Sequence, residues 1–211
     1  MAVQLAWVDA ATRVPAINRS PSAGEGFASG THAFRSRGHR YKIYIPPEHA
    51  GHEAPLIVML HGCTKDPDSF ATSTRMNELA RDKGCFILYP AQSLRANRMG
   101  CWNWFVAHHQ GRGRGEPSMI ASMTKAIVAR YGIDRQRVFI AGFSAGGAMA
   151  AITGEAYPEI FAAIGMHSAP SVPSLGPAEV RTISIDGGAH VWSRKPDATT
   201  EMVRFFLDES A

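Results

Sequence analysis

Apolar runs in this sequence are short. Stretches such as Leu56–Leu60 have the length of one buried strand, far below the ~20 residues of a membrane-spanning helix, so no membrane partner is expected. Cysteine is scarce as well: Cys63, Cys85 and Cys101 include no C-x-x-C pair, which argues against a structural zinc site and thioredoxin-like chemistry. No metal is expected. A strong excess of either charge is also lacking, since the formal net charge is +4 and nowhere do basic and aromatic residues interleave as in a nucleic-acid motif. Arg35, Arg37, Arg40 and Lys42 therefore read as the solvated face of a strand, and no nucleic-acid partner is expected. The N-terminus has no basic start followed by an apolar block, so no signal peptide is expected, as would hold equally for a mature secreted chain.

The 211 residues are 45% hydrophobic, enough for one substantial core, and a single domain over 1–211 is expected. Residues 1–31, interrupted by Pro15, Pro21, Gly24, Gly26 and Gly30, read as an irregular N-terminal arm. His39–Ile45 alternates like a half-buried antiparallel strand and ends at Pro46-Pro47. Pro55–Leu60 and Cys85–Tyr89 are continuous apolar strands of the kind buried on both faces of a parallel sheet. Between them, Phe70, Met76, Leu79 and Ala80 recur near helical spacing over 67–82, completing a βαβ unit. A helix over 117–131 feeds a strand at 137–143. Strands at 161–167 and 181–186 follow, with a loop over 171–177 between them and a last helix from about Pro196. The expected fold is α/β, with a mostly parallel sheet between helical layers.

The chain is organised around Gly142-Phe143-Ser144-Ala145-Gly146, placed between the strand ending Val138-Phe-Ile-Ala141 and the small-residue helix after Gly146. Strand, sharp turn, helix is the context of a nucleophile elbow, which holds a serine hydroxyl where a histidine can take its proton. The N–H of Ala145, at the helix start, faces a developing oxyanion. His61-Gly62-Cys63-Thr64 follows another buried strand and offers the N–H of Cys63 as second donor. His190, in a Gly-rich loop after the last strand, stands where the chain order Ser, acid, His puts the general base. His61 fits the oxyanion loop better, and His167 ends a strand beside the elbow.

Residues 92–116 are long, irregular and aromatic. Trp102, Trp104 and Phe105 either line a cleft or pin the loop to the core, and adjacent His108-His109 read as solvent-exposed rather than as metal ligands.

These residues carry a resemblance. His61-Gly62-Cys63, Asn77-Glu78-Leu79-Ala80, Tyr89-Pro90-Ala91-Gln92, Cys101-Trp102-Asn103-Trp104-Phe105, Gly142–Gly147 and Gly188-Ala189-His190-Val191-Trp192 together resemble the polyhydroxybutyrate depolymerase family of esterases, α/β-hydrolases related to feruloyl and acetylxylan esterases. The resemblance covers about Gly38 to Ala169. It implies a secreted serine esterase with Ser144 and His190 as catalytic residues, no cofactor, an ester or polyester substrate, and substrate contacts from Trp102, Trp104, Phe105 and Trp192. A Cys63–Cys101 disulfide is implied too, with reduced buried thiols as the alternative; a cytoplasmic location stays open. Hydroxyalkanoate esters come first, feruloyl or acetyl esters second, and a non-catalytic polymer- or glycan-binding remnant is the reading from another class.

The departure is in the acid. Such enzymes carry the triad aspartate after one more strand, and Ser168–Val180 is too short for it, so the sheet is expected to be one strand shorter near the C-terminus. Of Glu155, Glu159, Glu179 and Asp186, the acids between Ser144 and His190, Asp186 is the best survivor; Asp197 suits a helix N-cap. A shortened sheet leaves an edge that a second copy could pair with, a possible homodimer.

Overall fold

The computed structural model describes residues 26–47, 54–173, 180–186 and 189–208. They form seven strands: β1 (Phe27–Phe34), β2 (Arg37–Tyr44), β3 (Leu56–Leu60), β4 (Phe86–Pro90), β5 (Val138–Phe143), β6 (Ala163–His167) and β7 (Arg181–Ile185). The helices are α1 (Pro67–Thr74), α2 (Met76–Lys83), α3 (Gly115–Tyr131), α4 (Ala145–Ala156) and α5 (Ala198–Leu207). One sheet holds all strands in the order β1-β2-β4-β3-β5-β6-β7. The β1–β2 hairpin joins β4 antiparallel, and from β4 to β7 every pairing is parallel.

The apolar runs are strands because both faces of the sheet are covered. Leu56, Val58 and Leu60 of β3 pack with the α3 and α4 residues Ile120, Met123, Met149 and Ala150. Ile57 and Met59 point the other way, toward Phe70, Met76, Met202 and Phe206 of α1, α2 and α5. Burying each such side chain gains about 1.5–3 kcal/mol, against ~1–2 kcal/mol for ordering the residue's backbone, so a short strand is stable here only because neither face is left in water. Phe206 stacks on Phe139 of β5 with centroids 5.0 Å apart.

Two expectations are corrected. Residues 27–31, read as part of an irregular arm, belong to β1; residues 1–25 of that arm lie outside the described residues. The turn joining β1 to β2 is Arg35-Ser36, both at positive φ (47° and 63°), without the Asn-Gly or Asp-Gly signature that betrays such a hairpin. The helix expected over 67–82 is two helices. Asp66 and Ser69 start α1 with a reciprocal capping box, and Arg75 then turns left-handed at φ 54°. Thr74 Oγ1 is drawn back to the Phe70 carbonyl at 2.9 Å and accepts from Met76 N–H at 3.3 Å, so the hydroxyl competes with the helical ladder where it breaks.

The connectivity makes a crevice. From β3 the chain moves through α1 and α2 to β4 on one side, then returns through α3 to β5 on the other side of β3. Ligands of open α/β sheets bind beyond the carboxyl ends of the strands at such a switch point. The residues after β3 are His61–Thr64, and the residue after β5 is Ser144. At the far edge the sheet stops at β7, whose Arg181, Thr182 and Ser184 are exposed.

Candidate active site

Ser144, between β5 and α4, sits at φ 55° and ψ −123°, outside the regions open to an unstrained L-residue. Its amide donates to the His167 carbonyl of β6 at 2.9 Å, and its carbonyl accepts from Ala148 N–H at 3.1 Å as α4 begins. The turn can be this tight because Gly146 has no side chain: a Cβ there would overlap the carbonyl oxygens of Leu60 and His61. That contact presses the start of α4 against the end of β3. Gly62 is pressed from the other side, where a Cβ would lie 2.8 Å from the Phe143 ring. Gly62, which precedes Cys63, is thereby held against Phe143, which precedes Ser144, and among the described residues neither the Cys63 nor the Ala145 amide is spent on another acceptor. A buried amide left without a partner costs stability unless a ligand or water accepts from it.

His190 Nε2 lies 3.0 Å from Ser144 Oγ. The ring is exposed, its backbone is at φ 47°, and its face packs on Phe143 at a centroid distance of 5.1 Å. Asp186 is exposed just past β7, and no carboxylate among the described residues forms a hydrogen bond or ion pair with the His190 ring. The intervening Gly187 and Gly188 lie outside the described residues. Asp186 acts electrostatically on His167, favouring its charged form. Asp197 precedes α5, where it accepts from Thr200 Oγ1 at 2.7 Å rather than facing His190.

The histidines differ in their surroundings. His61 is buried; its Nδ1–H faces the Gly62 carbonyl at 2.9 Å while Nε2 accepts from Gln92 N–H at 3.1 Å, which fixes one neutral tautomer, and burial lowers its pKa. His167 is buried too. Its Nε2 accepts from Ser193 N–H at 2.9 Å, its ring stacks on Trp192 with centroids 5.0 Å apart, and burial again lowers its pKa.

Of the four aromatic residues expected to meet substrate, two cannot. Trp102 is 0% exposed and packs in the core beside His61, and Trp192 is 7% exposed with Nε1–H donating to Thr199 Oγ1 at 2.9 Å. Thr199 in turn donates to the Thr74 carbonyl at the break between α1 and α2, so Trp192 ties the histidine loop to the body of the fold. Trp104 is partly buried, and Phe105 is 58% exposed and meets it edge-on. Those two remain available to a ligand.

Glu116 was not singled out from the sequence, yet it organises the long loop. Its buried carboxylate accepts from Asn103 N–H (2.8 Å), Asn103 Nδ2 (2.6 Å) and Gln92 Nε2 (2.6 Å). Its amide donates to His109 Nδ1 at 2.9 Å, so His109, expected in solvent, is half-buried and only His108 is exposed. The available signal was an acid opening a helix after Gly111–Gly115; the loop partners, spread over 92–116, had none. A disulfide joins Cys63 to Cys101, fastening this loop to the oxyanion loop, and Cys85 is a buried free thiol. Among the described residues no cluster of His, Cys, Asp or Glu is arranged to hold a metal.

Known proteins share this arrangement in part. Residues 39–186 match the Esterase PHB depolymerase family. Poly(3-hydroxyalkanoate) depolymerase C of Paucimonas lemoignei is 36% identical over 109 residues, which are 52% of this chain and 26% of that protein. Feruloyl esterase B of Neurospora crassa is 32% identical over 130 residues, 61% of this chain and 43% of the relative. Among solved structures, the acetyl xylan esterase from Aspergillus awamori superposes with a TM-score of 0.58 at 28% identity, covering 63% of this chain and 47% of that one. The chain thus spans less than half the length of these relatives. The match runs through β2–β7 and the Ser144 elbow, and on that evidence the chain belongs to the esterase PHB depolymerase family of α/β-hydrolases.

Proposed function

We propose that the chain is a serine carboxylic-ester hydrolase acting through Ser144 and His190. The observation that carries this reading is the 3.0 Å contact between His190 Nε2 and the hydroxyl of a serine held on a strained elbow. Ser144 Oγ attacks the ester carbonyl while His190 takes its proton, and the N–H groups of Cys63 and Ala145 hold the oxyanion. The alkoxide leaves with the proton from His190, and water then repeats the sequence on the acyl-enzyme. Trp104 and Phe105 contact the substrate beside this centre. Hydrolysis of p-nitrophenyl butyrate tests the reaction: wild-type activity no greater than that of Ser144→Ala would leave only a non-catalytic binding remnant.

Hydroxyalkanoate esters, poly(3-hydroxybutyrate) among them, are the proposed substrates, in keeping with the family and with the depolymerase relative. Feruloyl or acetyl esters of polysaccharide are the second reading, favoured by the feruloyl and acetylxylan esterase relatives. Release of hydroxyacids from a poly(3-hydroxybutyrate) film, compared with ferulate from methyl ferulate, decides between them. A disulfide persists in an oxidising compartment, which supports an extracellular location. The exposed edge of β7 is the surface for a homodimer, and sedimentation of a monomer at micromolar concentration would remove that proposal.

A further inference from the structure

Beside the oxyanion loop lies a cavity of about 800 Å³, within the size range of small-molecule sites and lined by neither Ser144 nor His190. It opens at the same carboxyl end of the sheet, between β2, the start of α1 and the 92–100 segment, and it includes His61 and Thr64 on either side of Gly62-Cys63.

Its charges do not balance. Four cations, Arg40, Lys42, Lys65 and Arg98, face two carboxylates, Asp66 and Asp68. Lys42 is paired with Asp68 at 2.7 Å, and the Asp66 carboxylate is turned to the Ser69 amide as the cap of α1, which lowers its pKa. Among the described residues Arg40, Lys65 and Arg98 pair with no carboxylate. Buried His61, held as a neutral tautomer, adds no charge.

The remaining wall mixes polar side chains, Ser29, Thr31, Thr64 and Gln92, with the aliphatic Leu94 and Met99. Leu94 is 67% and Met99 59% exposed, and both line the cavity. Cations beside exposed aliphatic side chains match an anion carrying an apolar chain better than a bare inorganic anion.

We propose that this cavity binds the free carboxylate end of a short hydroxyacid oligomer, the class of product and chain end that a hydroxyalkanoate esterase meets. The ligand class rests on the proposed function; the anionic, amphiphilic character of the cavity does not. Arg40 and Arg98 supply the charge, Leu94 and Met99 take the alkyl part, and the bound acid lies against the outer side of the oxyanion loop.

Calorimetric titration of the Ser144→Ala protein, which leaves ester ligands intact, tests this with the linear trimer of 3-hydroxybutyrate as free acid and as methyl ester. The acid should bind about ten-fold more tightly, the order expected for a few partly exposed charges, and the difference should shrink as salt is raised. In Arg40→Gln/Arg98→Gln the difference should vanish, while Arg40→Lys/Arg98→Lys should keep most of it; thermal unfolding reports that each variant is folded. Equal affinity for acid and ester, no binding of either, a preference that survives the double glutamine change, or phosphate binding as tightly as the acid would each overturn the proposal. Failure of the esterase reading shows separately, as loss of Ser144-dependent p-nitrophenyl butyrate hydrolysis.

Discussion

Ser144 stands on a half-buried turn held by neighbouring strands and a helix, whereas His190, its partner, stands on an exposed loop beyond β7. The serine is fixed by a buried strand, by a helix whose first turn touches the end of β3, and by a backbone bond to β6. The histidine depends on the Phe143 ring beneath it and on the chain Trp192–Thr199–Thr74 that ties its loop down. Strain at the nucleophile is sustained by packing around it, but the base is only as well placed as one loop anchor allows. Among the described residues no carboxylate bonds to the His190 ring, which deepens the contrast, because a histidine without one loses tautomer control and stabilisation of its charged form.

The size of the Ser144→Ala loss sharpens this most. In a complete triad, removing the serine costs on the order of 10⁶ in kcat, and lacking the acid lowers the wild type by about 10⁴ beforehand. A dyad here therefore predicts a fall of only about 10²-fold in p-nitrophenyl butyrate turnover. A fall near 10⁶ would mean that a carboxylate reaches His190.

Trp192→Ala comes next. Removing a buried Trp costs about 3–5 kcal/mol. Urea unfolding should register that loss, and kcat should fall with it as the His190 loop comes free. Trp192→Phe, which loses the bond to Thr199 but keeps the ring, should cost about 1 kcal/mol. If Trp192→Ala lowered stability and left kcat intact, the loop would not need its anchor.

The disulfide is comparable in size but belongs to the serine side. It closes a separation of 38 residues, for which loop-entropy arguments give about 4 kcal/mol of stabilisation. Cys63→Ala/Cys101→Ala should lower the urea midpoint accordingly.

Acid should weaken the protein through His61 and His167. Burial lowers the pKa of both below the ordinary 6.5, so each binds its proton more readily when unfolded. Their contribution is complete above that unfolded value and is lost as pH falls through 6.5 toward the lowered folded values. Urea midpoints at pH 7.5 and 5.5 should differ in that direction, and His61→Asn should reduce the slope.

Asp186→Asn should do least. With no bond between its carboxylate and His190, kcat should change less than about three-fold, whereas a triad aspartate costs about 10⁴. A loss of the larger size would restore Asp186 as the acid.

The sequence by itself determined the interior: the two-sided apolar strands and the elbow with its glycines. Burial and tight turns demand particular residue types at short, regular spacings, and those are legible along a single chain. Only the tertiary structure decided the rest. That Trp102 and Trp192 are buried and Phe105 is not, that Glu116 collects Asn103 and Gln92, and that Asp186 makes no bond to His190 all depend on how distant segments pack together, which local residue type does not encode. The Arg35-Ser36 hairpin and the break at Arg75 were hidden for a local reason: ordinary residues were forced to positive φ by hydrogen bonding and packing around them, and residue type carries no mark of that.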